Sequence, residues 1–463
     1  MARKHVDMLS GNIIRSLLIL SIPVMLMNVS QPLFNVIDMT VLGNFAASDN
    51  AVGAVGTCGN LITLTTCLLT GLSSGTSVVI ARHIGRKDTE AGEKTLGSSL
   101  FTAVVGGVLL MIIGIVLAKP LLFLVKCPEA LLGDAIKYFR LYFMGVPFFM
   151  IYTFSADILR AMGETKRPMY YLLISGAVKV GLTFGITILF NTTVEGVGIA
   201  TIVANMVSGA LTLRTLLKNN KFVKFKFAHF RIYLKQFKEI LFIGIPTGIQ
   251  SALYSIANVI IMSVVNSHGE DAATGISIAN QFDSILYHIS RAVPLAATPF
   301  IAQNVGARNF KRVKRTIMEA ILLTSAIGGG FGMLSAIFSH QLASLMTNSE
   351  TIIAYAREKM MLISSTYFIN GINEITNGTL RGLNKPIVPT VSTMLFMCLL
   401  RFFWVYVVYP LCPNFTFLYL VWPIGWILCI STCLLFIIPT MKKLKKKFSS
   451  ESALIEDKLA EAN

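Results

Sequence analysis

Six ionisable side chains stand inside stretches that are otherwise apolar: Asp38, Lys179, Asp283, Arg291, Glu374 and Arg401. A charge at mid-membrane depth costs about 2.5–3.5 kcal/mol on insertion scales, so each is expected to face protein or water. Asp38 is the leading candidate for cation coupling. A buried carboxylate holds a proton or a competing cation but not both at once, and that exclusivity is what an exchange reaction requires. Pro32 has no backbone N–H to donate and is expected to loosen the helix just before Asp38. If sodium is the coupling ion, Asp38 is also its ligand. The competing reading locks Asp38 in a structural pair with Lys179.

Glu374 lies in Asn370-Gly371-Ile372-Asn373-Glu374-Ile375-Thr376-Asn377-Gly378, a polar run inside an apolar segment that reads as cavity lining. Arg401 is its expected partner, so a structural pair and a substrate or proton site both stand as readings. Asp283 and Arg291, with His288 between them, are expected to form a buried charge network. Phe34, Tyr254, Met262 and Trp404 are candidates to line a cavity, and the 30 Phe and 20 Met suit an adaptable surface for apolar ligands.

The elements that position these residues are membrane helices. Of the 463 residues 54% are hydrophobic and 14% charged, against about 25% charged in soluble domains. Mean hydropathy is +0.68. Runs such as Leu100 to Ala118, Met169 to Phe190, Val388 to Val408 and Phe415 to Thr440 are each able to cross a hydrocarbon core, which takes about 20 helical residues. Twelve spans are expected, near 13–43, 51–80, 96–118, 138–160, 168–190, 195–217, 239–265, 273–301, 316–338, 355–380, 387–409 and 416–440. The first reads as a retained helix rather than a cleaved signal, because it runs on past Val41 without a small-residue cleavage site. The seven cysteines have neither zinc nor disulfide spacing and read as small core residues.

A net charge of +17 suggests nucleic acid until the basic residues are placed. By count, 31 of the 40 Lys and Arg fall in the terminal segments and the connections after even-numbered spans, and six fall on the other side. Short cytoplasmic loops carry such an excess, so both termini are expected to be cytoplasmic, in an inner membrane. Segment 218–238 mixes Lys221, Lys224, Lys226, Arg231 and Lys235 with Phe222, Phe225, Phe227, Phe230 and Tyr233. It is expected either to lie on an anionic leaflet or simply to join two halves, and the lysines from Lys442 to Lys447 read as a topology anchor.

Two halves are visible as a repeat. Asn35-Val36-Ile37-Asp38-Met39 recurs as Asn258-Val259-Ile260-Ile261-Met262 and Pro23 as Pro246, both at an offset of 223. At 221, Ile80-Ala81-Arg82-His83-Ile84-Gly85 recurs as Ile301-Ala302-Gln303-Asn304-Val305-Gly306, Leu159-Arg160 as Leu380-Arg381, and Pro168 as Pro389. Each copy holds an even number of spans, so the halves share one orientation, an arrangement found among transporters. The expected organisation is a first lobe over 1–217, a basic linker over 218–238, a second lobe over 239–440 and a cytoplasmic tail over 441–463.

Asp38 followed by Val41-Leu42-Gly43, the Ala81 to Gly85 turn, Leu380-Arg381-Gly382 and the six-plus-six repeat together resemble the multidrug and toxic compound extrusion family, across essentially the whole chain. The resemblance implies an all-α polytopic membrane protein of 12 transmembrane helices, arranged as two pseudo-symmetric six-helix bundles around a central cavity. It also implies exchange of organic, often cationic compounds for protons or sodium by alternating access, with no cofactor besides the coupling ion. Carried over, the family's first-helix aspartate is similar to Asp38 and its sixth-helix threonine to Thr201. Lys179 and Thr183 stand where some members have an asparagine and a second aspartate, Asn258 where others have a glutamate, and Asn370 where others have an aspartate. Glu374, one turn beyond Asn370, offers a replacement carboxylate on the same face. Asn370, Asn258 and Asn35 join Glu374 as a candidate substrate or proton site.

Other classes fit less well. The chain has no Walker A sequence for direct use of ATP, and its six dispersed histidines make no reactive constellation for an enzyme. Buried carboxylates in a parallel repeat suit alternating access better than a channel. The expected partners are the bilayer and small organic substrates, with no nucleic acid and a monomeric protein. Lys179, Arg291 and Arg401 favour an alternative, an exporter or flippase of anionic or lipid-linked substrates.

Overall fold

The computed structural model describes residues 5–48, 50–218 and 223–461. Arg3, Lys4, Lys221 and Phe222 lie outside them, as does the side chain of Lys447. Eleven stretches among the described residues are helical, long and apolar enough to cross a bilayer. They are α1 (Ile13–Phe45), α2 (Ala51–Arg86), α3 (Thr89–Leu124), α4 (Glu129–Ala161), α5 (Lys166–Leu189), α6 (Glu195–Lys218), α7 (Leu234–Asn266), α8 (Glu270–Gly306), α9 (Phe310–Ile337), and, after the tenth expected position, Ile387–Leu411 and Phe415–Lys446. The tenth expected span is broken in two. Glu350–Ser365 and Tyr367–Gly382, together α10, meet at Thr366, whose hydroxyl donates to the Leu362 and Ile363 carbonyls at 3.1 and 2.9 Å. Ile387–Leu411 is α11; α12 begins at Phe415 and continues as a helix past 440 to Glu461.

Helices are the element a bilayer allows, because every backbone donor finds its acceptor within the segment. Their outer faces match lipid. On α3, Leu109, Ile112, Ile113, Val116 and Leu117 are all exposed, a continuous apolar stripe with nothing polar to meet water.

The repeat extends to local backbone geometry. Lys87 and Arg308 both take left-handed conformations (φ 58° and 56°), and so do Gly163 and Asn384 (82° and 64°), in each case 221 residues apart. The residue after the first pair is an N-cap in both halves. Asp88 accepts a hydrogen bond from the Ala91 amide at 3.1 Å and Asn309 one from Arg312 at 3.1 Å, each satisfying an orphan donor at a helix start.

Contacts divide the chain into two units. One comprises Met1–Val6, Ile22–Ile84 and Asp88–Gly248, the other Asp7–Ser21, Gly85–Lys87 and Ile249–Asn463. In the first, α4 packs against α3 and α6, and α5 against α6, around a core that includes Phe139, Phe143 and Phe154. The segment after α6 packs on the start of α3. Lys226 pairs with Glu93 at 2.6 Å, the Tyr233 amide donates to Ser98 at 3.0 Å, and Phe230 meets Phe101 edge to face. Gly97 is required here, because a Cβ would sit 2.0 Å from the His229 carbonyl oxygen.

In the second unit α10 packs against α8, α9 and α12, and the core includes Trp404, Tyr419 and Trp426. Its N-terminal segment is held by Arg312, which donates to the carbonyls of Met8, Gly11 and Ser10 at 2.9, 2.9 and 2.5 Å. Five of the seven cysteines are buried as expected, Cys67 is half-buried, and Cys412 is exposed.

Candidate functional site

In the first unit the helical spacing of α1 turns Asp38 inward while Asn35, Val36 and Thr40 remain exposed. Asp38 is 5% exposed, and its carboxylate receives the Lys179 ammonium on Oδ2 at 2.5 Å and the Thr183 hydroxyl on Oδ1 at 3.4 Å. Lys179 and Thr183 are one turn apart on α5, so one helix supplies both donors. The helices approach closely beside the pair. The Phe34 ring lies where a Cβ of Gly176 would be, 1.9 Å from its ideal position, which only glycine permits. Phe34 therefore packs against a helix rather than lining open space. Thr201, on α6, gives its hydroxyl to the Val197 carbonyl of its own helix at 2.8 Å and makes no bond to Asp38.

The second unit holds two clusters, and the first differs from expectation. Arg401 does not pair with Glu374. Its Nη1 donates to Asn258 Oδ1 on α7 at 2.7 Å, and its guanidinium carbon lies 4.8 Å from the Trp422 ring centre. A π turn at Met394–Leu399 precedes it, takes one residue more than an α turn, and so turns Arg401 away from the direction that an unbroken α-helix of the same residues gives it. Glu374 is 5% exposed and has the buried Arg381 as an electrostatic neighbour. It shares Tyr254 and Cys429 with Arg401 as electrostatic neighbours. Tyr254 receives a hydrogen bond from the Asn373 amide at 3.0 Å, and Asn370 is buried one turn before Glu374. Of the remaining cavity-lining candidates, Trp404 is buried in the core and donates to the Phe417 carbonyl at 3.1 Å, and Met262 packs on the same core.

Asp283 is bonded across helices, not along its own. Lys359 on α10 pairs with it at 2.8 Å and also donates to Asn280. Arg291 interrupts α8 between Ser290 and Ala292, lies 5.6 Å over the Tyr287 ring and is an electrostatic neighbour of His288. Lys359 is 3% exposed and was not singled out in the sequence. The signal was there: it lies on one stripe with Ala356, Met360 and Ile363, all buried.

The donor set around Asp38 fits a proton better than a metal ion. Hard cations take several oxygen ligands, whereas Asp38 already receives an ammonium and the Thr201 hydroxyl points elsewhere. Among the described residues no three His, Cys, Asp or Glu side chains converge.

The fold matches a crystal structure titled as MATE in the straight conformation, with a TM-score of 0.88 and 21% identity over 96% of this chain and 100% of that one. Among curated relatives, the probable multidrug resistance protein YoeA of Bacillus subtilis is 28% identical over 82% of this chain and 83% of its own length. An FAD transporter of Shewanella oneidensis is 22% identical over 82% and 87%. The MatE family profile matches the chain twice, at 23–185 and 246–407, once in each copy of the repeat. Both copies together cover most of the chain, which is therefore a polytopic membrane transporter, not an enzyme, and belongs to the multidrug and toxic compound extrusion family.

Proposed function

We propose that this transporter expels small amphipathic organic compounds in exchange for protons, by alternating access, with Asp38 as the coupling carboxylate. The observation that carries the proposal is the buried Asp38–Lys179 pair beside the Phe34–Gly176 contact. Protonation of Asp38 removes the partner of a buried ammonium, and a cationic substrate competes with Lys179 for the same oxygens. Either event changes what holds α1 to α5, so occupancy biases the packing of two helices. Glu374, buried with Arg381 as an electrostatic neighbour, supplies a second carboxylate able to take a proton or a cationic group. The name of the YoeA relative supports a multidrug role. Both termini are assigned to the cytoplasm of an inner-membrane, monomeric protein with lobes over 1–217 and 239–440, a linker over 218–238 and a tail over 441–463.

The test is transport in proteoliposomes under an imposed proton or sodium gradient, comparing the wild-type protein with Asp38→Asn. Proton-driven transport that vanishes in the variant is expected; equal driving by sodium alone, or undiminished transport in the variant, overturns the coupling assignment.

A second reading, in which the substrate is anionic, draws on Arg401, which has no carboxylate partner among the described residues, and on the FAD transporter among the relatives.

A further inference from the structure

The two halves form an internal comparison that isolates one missing charge. Lys179 lies eleven residues after Pro168, and Arg401 twelve after Pro389. The extra residue is absorbed by the π turn Met394–Leu399, whose i→i+5 bonding takes one more residue per turn. Arg401 thus occupies the place of Lys179 at an offset of 222, the offset that also relates the ends of the two family matches at 185 and 407. Each of these basic residues reaches the first helix of its own half. Lys179 meets Asp38, whereas Arg401 meets Asn258, the copy of Asn35. Where the first half has Asp38, the second has Ile261, 3% exposed in an apolar core.

The second half has therefore kept the cation and lost its anion. Arg401 is 1% exposed, its Nε is buried without an acceptor, and Glu374 does not come within ion-pair distance. A guanidinium is always charged, and burying one without a counter-charge is costly. A neutral amide oxygen is a weak substitute for an oxyanion, which a guanidinium binds through two parallel N–H donors. The substitute is also reachable, because Asn258 is itself an exposed residue of α7.

We infer that Arg401, Asn258 and Trp422 form an oxyanion subsite, in which the carboxylate or phosphate of an amphipathic molecule replaces the Asn258 oxygen on Arg401. This rests on the anionic-substrate reading above. The charge is supplied by Arg401, the exposed entry by Asn258, and the Trp422 ring, 4.8 Å from the guanidinium carbon, adds a cation–π contact that helps hold it.

The test uses riboflavin and flavin mononucleotide, which share a ring and chain and differ by one phosphate. Binding to the full-length protein in phosphatidylcholine nanodiscs is read by flavin fluorescence anisotropy. The wild-type protein is expected to bind the phosphorylated form at least about tenfold more tightly, the range of a charge-assisted contact. Arg401→Gln is expected to remove that preference while riboflavin affinity is retained, and Arg401→Lys to keep part of it. Ile261→Asp restores the carboxylate of the first half and is expected to remove the preference by pairing with Arg401. Equal affinities in the wild-type protein, no binding of the phosphorylated form, or a preference that persists in Arg401→Gln overturns the subsite; the first two need no variant to fold. Adding phosphatidylglycerol separates the sources: competition assigns the site to lipid headgroups, and its absence assigns it to soluble anions. Asp38→Asn is expected to keep the flavin preference even where coupling is lost, so the two assignments fail independently.

Discussion

Asp38 and Lys179 hold each other at 2.5 Å in a place where removing either one strands the other. Breaking a buried pair from one side costs about 3–5 kcal/mol, whereas replacing both members by apolar residues of similar size is often near neutral. Structural and coupling roles therefore separate in a double variant. Asp38→Leu with Lys179→Met is expected to restore the thermal stability that Asp38→Leu loses, yet to leave gradient-driven transport abolished; recovery of transport together with stability makes the pair structural. The Asp283–Lys359 pair is expected to behave oppositely. Asp283→Leu lowers stability by about 3–5 kcal/mol, and adding Lys359→Met returns both stability and transport, measured by thermal melting and by the same liposome assay. The first pair was legible in the sequence because both residues interrupt long apolar runs. Lys359 was not, since it follows Arg357 and Glu358 at the edge of an expected span and reads there as a loop charge.

At the scale of elements, apolar length located the helices well but could not show how they are wound. The expected α3 begins at 96, whereas the helix starts at Thr89, because Asp88 caps it and its first turns carry polar residues that hydropathy discounts. The break at Thr366 and the interruption at Arg291 were likewise invisible, as both are set by tertiary packing rather than composition. The consequential case is α11. A π turn leaves no mark on hydropathy, yet it changes the direction of Arg401, which meets Asn258 and not the expected Glu374. Deleting Leu395 removes the extra residue that the π turn absorbs, so the segment winds as an unbroken α-helix with Arg401 in the place that Lys179 holds in the first half. The deletion is expected to yield a folded protein, monodisperse on gel filtration, that keeps its preference for the phosphorylated flavin. A lost preference in that folded variant means that the π turn is not what absorbs the extra residue.

At the scale of the whole molecule, the repeat was the most legible feature, since its offsets recur in the left-handed turns at Lys87 and Arg308 and at Gly163 and Asn384. It relates the halves without saying which ends face the cytoplasm, and that assignment rests on the distribution of Lys and Arg. Cys412 provides a native reporter. It is exposed in the connection between α11 and α12, a stretch free of Lys and Arg, while five other cysteines are buried. Positive charge retained on the cytoplasmic side places Cys412 on the opposite side. A membrane-impermeant maleimide is therefore expected to label the wild-type protein in intact spheroplasts, and Cys412→Ser to abolish most of that labelling. Lys311→Cys, added to Cys412→Ser, places an exposed thiol in the basic first turn of α9 and is expected to react only after the membrane is opened. The reverse pattern, with residue 311 labelled in sealed spheroplasts and Cys412 protected, puts the termini outside; the basic excess would then reflect ligand or lipid binding rather than insertion.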